Sequence, residues 1–90
     1  MLHGRSQVLI VSADPHPVRR LRALLAELNC DLSVATSRDE ALAALTAEPH
    51  RFDAVLLELS MPNEDASAFV SRMKANPAWA AIPVILQSAA

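Results

Sequence analysis

The sequence has little of two residue types on which whole classes of proteins depend. Its 90 residues include one glycine (Gly4) and one cysteine (Cys30). One glycine cannot form the glycine-rich loops that hold nucleotide phosphates, so we expect no flavin or nucleotide binding. One cysteine excludes an internal disulfide framework and suits a reducing compartment, so we expect a cytoplasmic protein.

The sequence also lacks a concentration of one charge sign and a long apolar run. Eight basic and ten acidic residues leave a formal net charge of −2 without a basic cluster, so we expect neither nucleic-acid nor membrane binding. The apolar runs are far shorter than a membrane span, and the first residues lack the apolar core of a secretory signal. With 52% apolar and 20% charged residues, we expect one small globular domain over residues 1–90, with residues 1–6 as a flexible tail.

What the sequence does contain is a regular alternation of strand and helix patterns. Four short apolar segments predict strands. They are Val8–Val11, Leu32–Ala35, Ala54–Leu57 and Pro83–Leu86. Helical patterns separate these segments, and the resulting order βαβαβαβ predicts an α/β fold with a parallel sheet and helices on both faces.

Capping signals mark the ends of the predicted helices. Asp14 precedes a proline as a candidate N-cap of the first helix, and Asn29 suits a left-handed residue at the end of that helix. Ser37 and Glu40 form a capping box for the second helix. The third helix is predicted from about Ala66 to Ala75. The apolar stripe of the first helix comprises Val18, Leu21, Leu25 and Leu28.

Candidate functional residues follow the strands, because ligands of such sheets bind at the carboxyl ends of the strands. Glu58 directly follows the third strand and is the most suggestive, although a carboxylate that projects into water is an equally simple interpretation. Asp14 follows the first strand, where an N-cap is the simpler interpretation. Two carboxylates alone make a weak site for a divalent ion, and no histidine has an obvious partner. We therefore expect no metal site and no catalytic residue.

Three segments together resemble the response-regulator receiver domain, the phosphoacceptor module of two-component signalling. They are Val8–Val11 with Asp14-Pro15, Asp53–Glu58 with Met61-Pro62, and Ile82–Ala89. The resemblance covers essentially the whole chain. It implies a flavodoxin-like α/β fold of three layers with a parallel sheet in the order 2-1-3-4, in which the fifth strand and the last helices of the family are absent.

The resemblance also implies which positions would carry the chemistry of the family, and several of them differ from the family pattern. The acidic pair that binds Mg²⁺ in the family falls on Ser12 and Ala13, and the phosphoacceptor aspartate falls on Glu58. The switch hydroxyl falls on Ser88, Asp14 is a nearby acid, and the lysine of the family has no counterpart. The resemblance therefore implies no cofactor, weak or absent Mg²⁺ binding and no ordinary aspartyl phosphorylation.

The implied function is that of a phosphorelay-type receiver module with a degenerate phosphoacceptor site, which acts through phosphorylation-independent protein contacts and is not an enzyme. Two alternatives stay open: a working phosphoacceptor that uses Glu58 with Asp14 and Ser88, and a structural dimerisation unit of a larger regulator. The expected partners are a sensor histidine kinase, a phosphotransfer protein or a fused output domain, and a homodimer is a further option. Glu58 either imitates a phosphorylated residue by reaching Ser88 or belongs to a decayed site.

The sequence ends at Ala90, soon after the fourth predicted strand. In the family, the fourth strand is internal to the sheet, and a fifth helix covers one side of the first helix. We therefore expect an open fourth strand and an uncovered apolar side of the first helix. We expect either a fragment of a longer receiver or a fold that a partner completes.

Overall fold

The computed structural model describes residues 6–13, 15–48, 50–58 and 66–87. In this part of the chain, strands and helices alternate in the predicted order βαβαβαβ. The strands are β1 (Ser6–Val11), β2 (Cys30–Ala35), β3 (Ala54–Glu58) and β4 (Val84–Gln87). The helices are α1 (Pro15–Glu27), α2 (Arg38–Ala47) and α3 (Ala66–Ala75). None of the helices described is long and apolar enough to span a membrane.

The described strands form one parallel sheet in the order β2-β1-β3-β4. Val11 at the end of β1 lies opposite Ala35 of β2 and Leu57 of β3, so these strands end at the same level. β4 continues the alignment, with Gln87 opposite Glu58 of β3. The predicted flavodoxin-like α/β fold and its sheet order are confirmed.

Two strands begin earlier than the apolar pattern indicates. β1 starts at Ser6 and β2 at Cys30, and these two residues are paired in the sheet. Residue 6 therefore belongs to the sheet and not to the tail expected over residues 1–6, and residues 1–5 lie outside the described residues. Polar residues extend these strands because backbone hydrogen bonding to a neighbouring strand, and not side-chain burial, decides where a strand starts.

A left-handed residue ends the turn after α1, as predicted. Asn29 has a φ angle of 60°, which asparagine tolerates better than most residues other than glycine. Its amide donates to the carbonyl of Ala26 at 3.3 Å, and its carbonyl accepts a hydrogen bond from the amide of Ser6 at 3.2 Å. The turn therefore leads the chain from α1 directly into β2.

Asn29→Ala should lower the free energy of unfolding by about 1–2 kcal/mol, because the Cβ atom of alanine disfavours the left-handed conformation. Asn29→Gly should be neutral, since glycine adopts a φ angle of 60° without that cost. Urea denaturation of the three proteins, followed by circular dichroism, makes the comparison. Equal stability of the alanine and glycine variants would show that backbone conformation at this position does not matter.

The predicted capping box at the start of α2 is present in a modified form. Ser37 is the N-cap, and its Oγ atom accepts a hydrogen bond from the amide of Glu40 at 3.1 Å. The Glu40 carboxylate binds Thr36 instead of the Ser37 amide, with the Thr36 amide donating at 3.0 Å and the Thr36 hydroxyl at 2.9 Å. These hydrogen bonds, the backbone one first, lower the pKa of Glu40 below its ordinary value.

The lowered pKa of Glu40 makes a small part of the stability depend on pH. The contribution of Glu40 to the stability is complete above the pKa that this group has in the unfolded chain. It is lost as the pH falls through the lowered pKa of the same group in the folded chain. Glu40→Gln should therefore lower the urea midpoint slightly at neutral pH, and the difference between the two proteins should vanish in acid. A difference that persists in acid would mean that the charge of Glu40 is not involved.

The main core lies between the sheet and helices α2 and α3. Phe69 and Met73 of α3 are fully buried, and Trp79 packs into the same core with 7% exposure. The buried cluster comprises Leu9, Val11, Ala35, Ala41, Leu45, Phe52, Val55, Leu57, Phe69, Met73, Trp79 and Ile82.

On the other face of the sheet, α1 leaves apolar surface uncovered. Leu28, which its spacing places in the apolar stripe, follows the last residue of α1 and is 63% exposed, and Leu24 is also exposed, at 54%. The reason is that α1 packs mainly against β2, so it covers this face of the sheet only in the region near β2. The other predicted members of the stripe are half-buried: Val18, Leu21 and Leu25.

β4 lies at the end of the sheet that the described residues form, and no described strand pairs with its outer side. Ile85 is 50% exposed and Leu86 is 52% exposed. These two side chains lie on opposite faces of the sheet, because successive residues of a strand alternate. Apolar surface is therefore exposed on both sides of β4.

Candidate functional site

Ser12 and Glu58 come together at the carboxyl edge of the sheet. Val11 is paired with Leu57, and Ser12 and Glu58 are the next residues along these two adjacent strands. Ser12 is 3% exposed and Glu58 is 5% exposed. The two central strands thus bring two of the predicted site residues side by side in a buried position.

Ser12 belongs to the sheet although it follows the last residue of β1. Its amide donates to the carbonyl of Ala35 at 2.9 Å, which continues the pairing of β1 with β2. Ala13 is the next residue, and its methyl group is exposed. At the two positions that the family resemblance assigns to the acidic pair, this chain therefore has a neutral hydroxyl group and a methyl group.

Glu58 is enclosed by the protein and does not project into water. It is the last residue of β3, and Gln87 lies opposite in β4. Its Oε2 atom accepts no hydrogen bond within the described residues, while the residue makes other interactions. The interpretation of Glu58 as a solvated strand end is therefore wrong. No local sequence signal reports this burial, because neighbouring strands produce it.

Asp14 and Ser88, the two other residues of the predicted site, lie outside the described residues. Ser88 directly follows Gln87, which is the residue opposite Glu58. The segment 59–65, between Glu58 and α3, also lies outside the described residues. The roles of Asp14 as a nearby acid and of Ser88 as a switch hydroxyl stay predictions.

The side chains that the structure describes at this edge do not fit a divalent metal ion. Mg²⁺ prefers several hard oxygen ligands, with carboxylates among them. Glu58 supplies one carboxyl group, Ser12 a neutral hydroxyl and Ala13 no ligand. Within the ranges that the structure describes, no three His, Cys, Asp or Glu residues group closely enough to hold a metal ion.

A cavity of about 410 Å³ lies at the opposite end of the sheet, near the starts of β1 and β2. Gln7, Asp31 and Arg51 are among the residues that line it. Gln7 donates to Asp31 at 2.9 Å, and Arg51 pairs with Glu48 at 3.2 Å and donates to Ser33 at 3.3 Å. Because these polar groups bind one another, the cavity is not a second candidate site.

The fold and the position of the site define the class of protein. A doubly wound α/β sheet of order 2-1-3-4 collects its functional groups at the carboxyl ends of its strands, where Ser12 and Glu58 lie. The family model described as response regulator receiver domain matches residues 8–90. The chain belongs to this family, and it is therefore a receiver domain of the two-component signalling type.

Solved receiver structures are similar to this chain. The phosphorylated cyanobacterial phytochrome response regulator RcpA is 24% identical, with a TM-score of 0.83 over 96% of the chain. The receiver domain of a signal transduction histidine kinase from Syntrophus aciditrophicus is 28% identical, with a TM-score of 0.80 over 90% of the chain. The N-terminal domain of a response regulator receiver protein from Methanoculleus marisnigri is 32% identical, with a TM-score of 0.78 over 89% of the chain.

The chain is shorter than these structures. It spans 66%, 60% and 63% of their lengths, in the same order. A search of the curated proteins finds no match.

Proposed function

We propose that this receiver domain passes on its signal through protein contacts that do not require phosphorylation, and that it is not an enzyme. The observation that supports this function most is the make-up of the carboxyl edge. Ser12 and Ala13 stand beside the buried Glu58 at positions where the family pattern has an acidic pair beside an aspartate. Each difference acts against phosphoryl transfer.

The first difference concerns charge. Transfer of a phosphoryl group depends on positioning and on neutralisation of the charge of the moving group. The hydroxyl group of Ser12 and the methyl group of Ala13 supply no negative charge that would retain Mg²⁺. Phosphoryl transfer at this edge would therefore lack the ion that makes it feasible.

The second difference concerns geometry. Glutamate is one methylene longer than aspartate, so the carboxyl group of Glu58 is displaced by about 1 Å, and a displacement of that size can cost roughly a hundredfold in rate. Glu58 is also only 5% exposed, which restricts the approach of a phosphodonor. The burial of Glu58 also favours a decayed site over an imitation of a phosphorylated residue through Ser88, because an enclosed carboxyl group presents little charge to a partner.

The proposed partners are proteins: a sensor histidine kinase, a phosphotransfer protein or an output domain in the same polypeptide. The similar structure from Syntrophus aciditrophicus is the receiver domain of a histidine kinase, which supports a partner of this kind. A net charge of −2 without a basic cluster favours neither nucleic acid nor a membrane surface as partner. The single cysteine, Cys30, supports a location in the reducing cytoplasm.

Incubation with acetyl phosphate and Mg²⁺, followed by mass spectrometry of the intact chain, tests the proposed function. We expect no phosphoryl adduct, whereas a receiver with the acidic pair and the aspartate, treated in parallel, should gain one. Glu58→Gln is the matched variant, because it keeps the size of the side chain and removes the acceptor. An adduct that forms on the original chain and is lost in Glu58→Gln would establish Glu58 as a phosphoacceptor and overturn the proposed function.

A further inference from the structure

We propose that the outer edge of β2 binds an extended acidic segment of a partner protein, which joins the sheet as an antiparallel strand. Extended segments commonly bind proteins by adding a strand to a sheet edge. β2 lies at the end of the described sheet opposite β4, two strands away from Glu58 in β3. The inference therefore goes beyond the proposed function and holds whether or not Glu58 accepts a phosphoryl group.

The backbone groups on the outer side of β2 belong to Leu32 and Val34. The carbonyl of Ala35 accepts a hydrogen bond from the amide of Ser12 at 2.9 Å, so the backbone of Ala35 faces β1. Alternate residues of a strand direct their backbone groups to the same side. The backbone groups of Leu32 and Val34 therefore face away from β1, and no described strand pairs with them.

A side chain blocks this edge at its carboxyl end. By the same alternation, the amide of Thr36 faces outward, and the Glu40 carboxylate accepts its hydrogen bond at 3.0 Å. A carboxylate in this position takes up the donor that a further strand would use. A partner strand can therefore pair only with the part of β2 that precedes Thr36, which includes Leu32 and Val34.

The cavity near the starts of β1 and β2 provides room beside this edge. Arg22 and Ala26 of α1 line it from one face of the sheet, and Ser33 and Arg51 also line it. Ser33 lies opposite Leu9, a residue of the main core, so it belongs to the other face. Because β2 is the last strand on this side, space that reaches both of its faces lies along its outer edge.

The side of α1 that borders this edge is basic. Arg22 lines the cavity, and its side chain takes no part in the polar contacts of Arg51. Arg19 lies on the same side of the helix, because residues three apart are neighbours on a helix surface. Both arginines are exposed. Two guanidinium groups beside outward backbone groups suit the carboxylate side chains of a bound strand.

The side-chain directions allow one strand to use both features. Leu32 and Val34 lie on the face of α1, because Ser33 lies on the opposite face. In an antiparallel strand, the residues that pair with Leu32 and Val34 direct their N–H groups to β2 and their side chains to the same face. Acidic residues at alternate positions would therefore reach Arg22 and Arg19 while their backbone pairs with β2.

The charge of α1 favours a partner protein over a second copy of the chain. A two-fold axis at the edge of β2 would set two α1 helices side by side on one face of the joined sheet. Arg19 and Arg22 of one copy would then face the same arginines of the other, and like charges oppose such a pairing.

Synthetic peptides with blocked ends test the inference, with binding followed by NMR titration of the isotopically labelled chain. The probe alternates valine and glutamate over about seven residues, so that all its glutamates can lie on one face. We expect a dissociation constant on the order of 100 µM, and about tenfold weaker binding or less when lysine replaces glutamate. Equal binding of the two peptides, or no binding of the glutamate peptide at millimolar concentration, would overturn the inference.

Backbone methylation separates strand pairing from simple attraction of charges. In the proposed arrangement, the N–H groups of the glutamates point to β2 and those of the valines point away from it. N-methylation of the glutamates should weaken binding by about tenfold, whereas N-methylation of the valines should change it by less than about twofold. Equal affinities would indicate attraction by charge alone, and the reverse order would indicate a parallel strand. Either result would overturn the proposed pairing.

A charge reversal in the chain locates the contact. Arg22→Glu should weaken binding of the glutamate peptide by about tenfold or more, because it replaces attraction by repulsion at the edge of β2. Arg20→Glu is the matched control, since it makes the same change on the same helix at a position that does not share the side of Arg22. Both residues are exposed, so both variants should fold. If the two variants lose the same affinity, the net charge of the chain and not the edge of β2 attracts the peptide, and the inference is wrong.

Discussion

Replacing Ser12 with aspartate should lower the free energy of unfolding by about 2–4 kcal/mol when no divalent ion is present. Ser12 is 3% exposed and lies beside Glu58, which is 5% exposed. The substitution places two buried carboxyl groups on adjacent strands, where both cannot be charged without a large cost. Mg²⁺ should recover part of the lost stability, because a cation held weakly between the two carboxylates offsets their repulsion and stabilises the folded state.

Urea denaturation in the presence of a chelator and in the presence of Mg²⁺ measures this effect. Ser12→Asn is the matched control, because asparagine has the size of aspartate without the charge. We expect neither the control nor the original protein to gain stability from the ion. If millimolar Mg²⁺ stabilises the original protein, the conclusion that its carboxyl edge does not fit a divalent ion is wrong.

Phe69→Ala should remove a large part of the stability of the domain. Phe69 is 1% exposed and is the largest fully buried side chain among the described residues, in the core between the sheet and the helices α2 and α3. Truncation of a buried phenylalanine costs about 3–5 kcal/mol, whereas the whole stability of a typical domain is about 5–15 kcal/mol. We therefore expect a variant that is close to unfolding at room temperature.

The neighbouring residue provides the control for this substitution. Val70 is half-buried on the same helix, and Val70→Ala should cost roughly 1 kcal/mol. Thermal denaturation followed by circular dichroism compares the two variants. Similar midpoints would contradict the central position of Phe69 in the core.

The order of the elements could be predicted because its signals are local. Short apolar segments mark the strands, and Asn29 and Ser37 mark helix ends through the conformation and hydrogen bonding of single residues. The sheet order followed from the family resemblance, which implies the arrangement 2-1-3-4. Strand bounds were less accurate, because Ser6 and Cys30 join the sheet through pairing with each other and not through their own side chains.

Burial could not be predicted to the same degree, because it depends on residues far apart in the chain. Leu28 fits the helical spacing of a buried stripe, yet it is 63% exposed because α1 covers only the side of the sheet near β2. Glu58 is a charged residue type at a strand end, yet it is 5% exposed because β1 and β4 flank it. Neither outcome has a signal within a few residues of the position concerned.

The location of the candidate site was more predictable than its chemistry. The rule that functional groups collect at the carboxyl ends of parallel strands is enough to bring Ser12 and Glu58 together. The absence of an acidic pair can be recognised only when the sequence is compared with the family pattern. The sequence does not show that the side chains of Ser12 and Glu58 are buried, and this burial is the reason why a charge added at position 12 should be costly.

The packing of Trp79 has a consequence for optical spectroscopy. It is the only tryptophan, and the chain has no tyrosine, so near-ultraviolet fluorescence comes from a single indole ring. Its amide donates to Asn76 and its carbonyl accepts from Ile82, both at 2.9 Å, which fixes its backbone in the connection that enters β4 at its amino end, and its side chain is 7% exposed. A red shift of the emission should therefore signal solvent entry into the hydrophobic interior, while substitutions at the opposite end of the sheet that leave this interior intact should not change the spectrum.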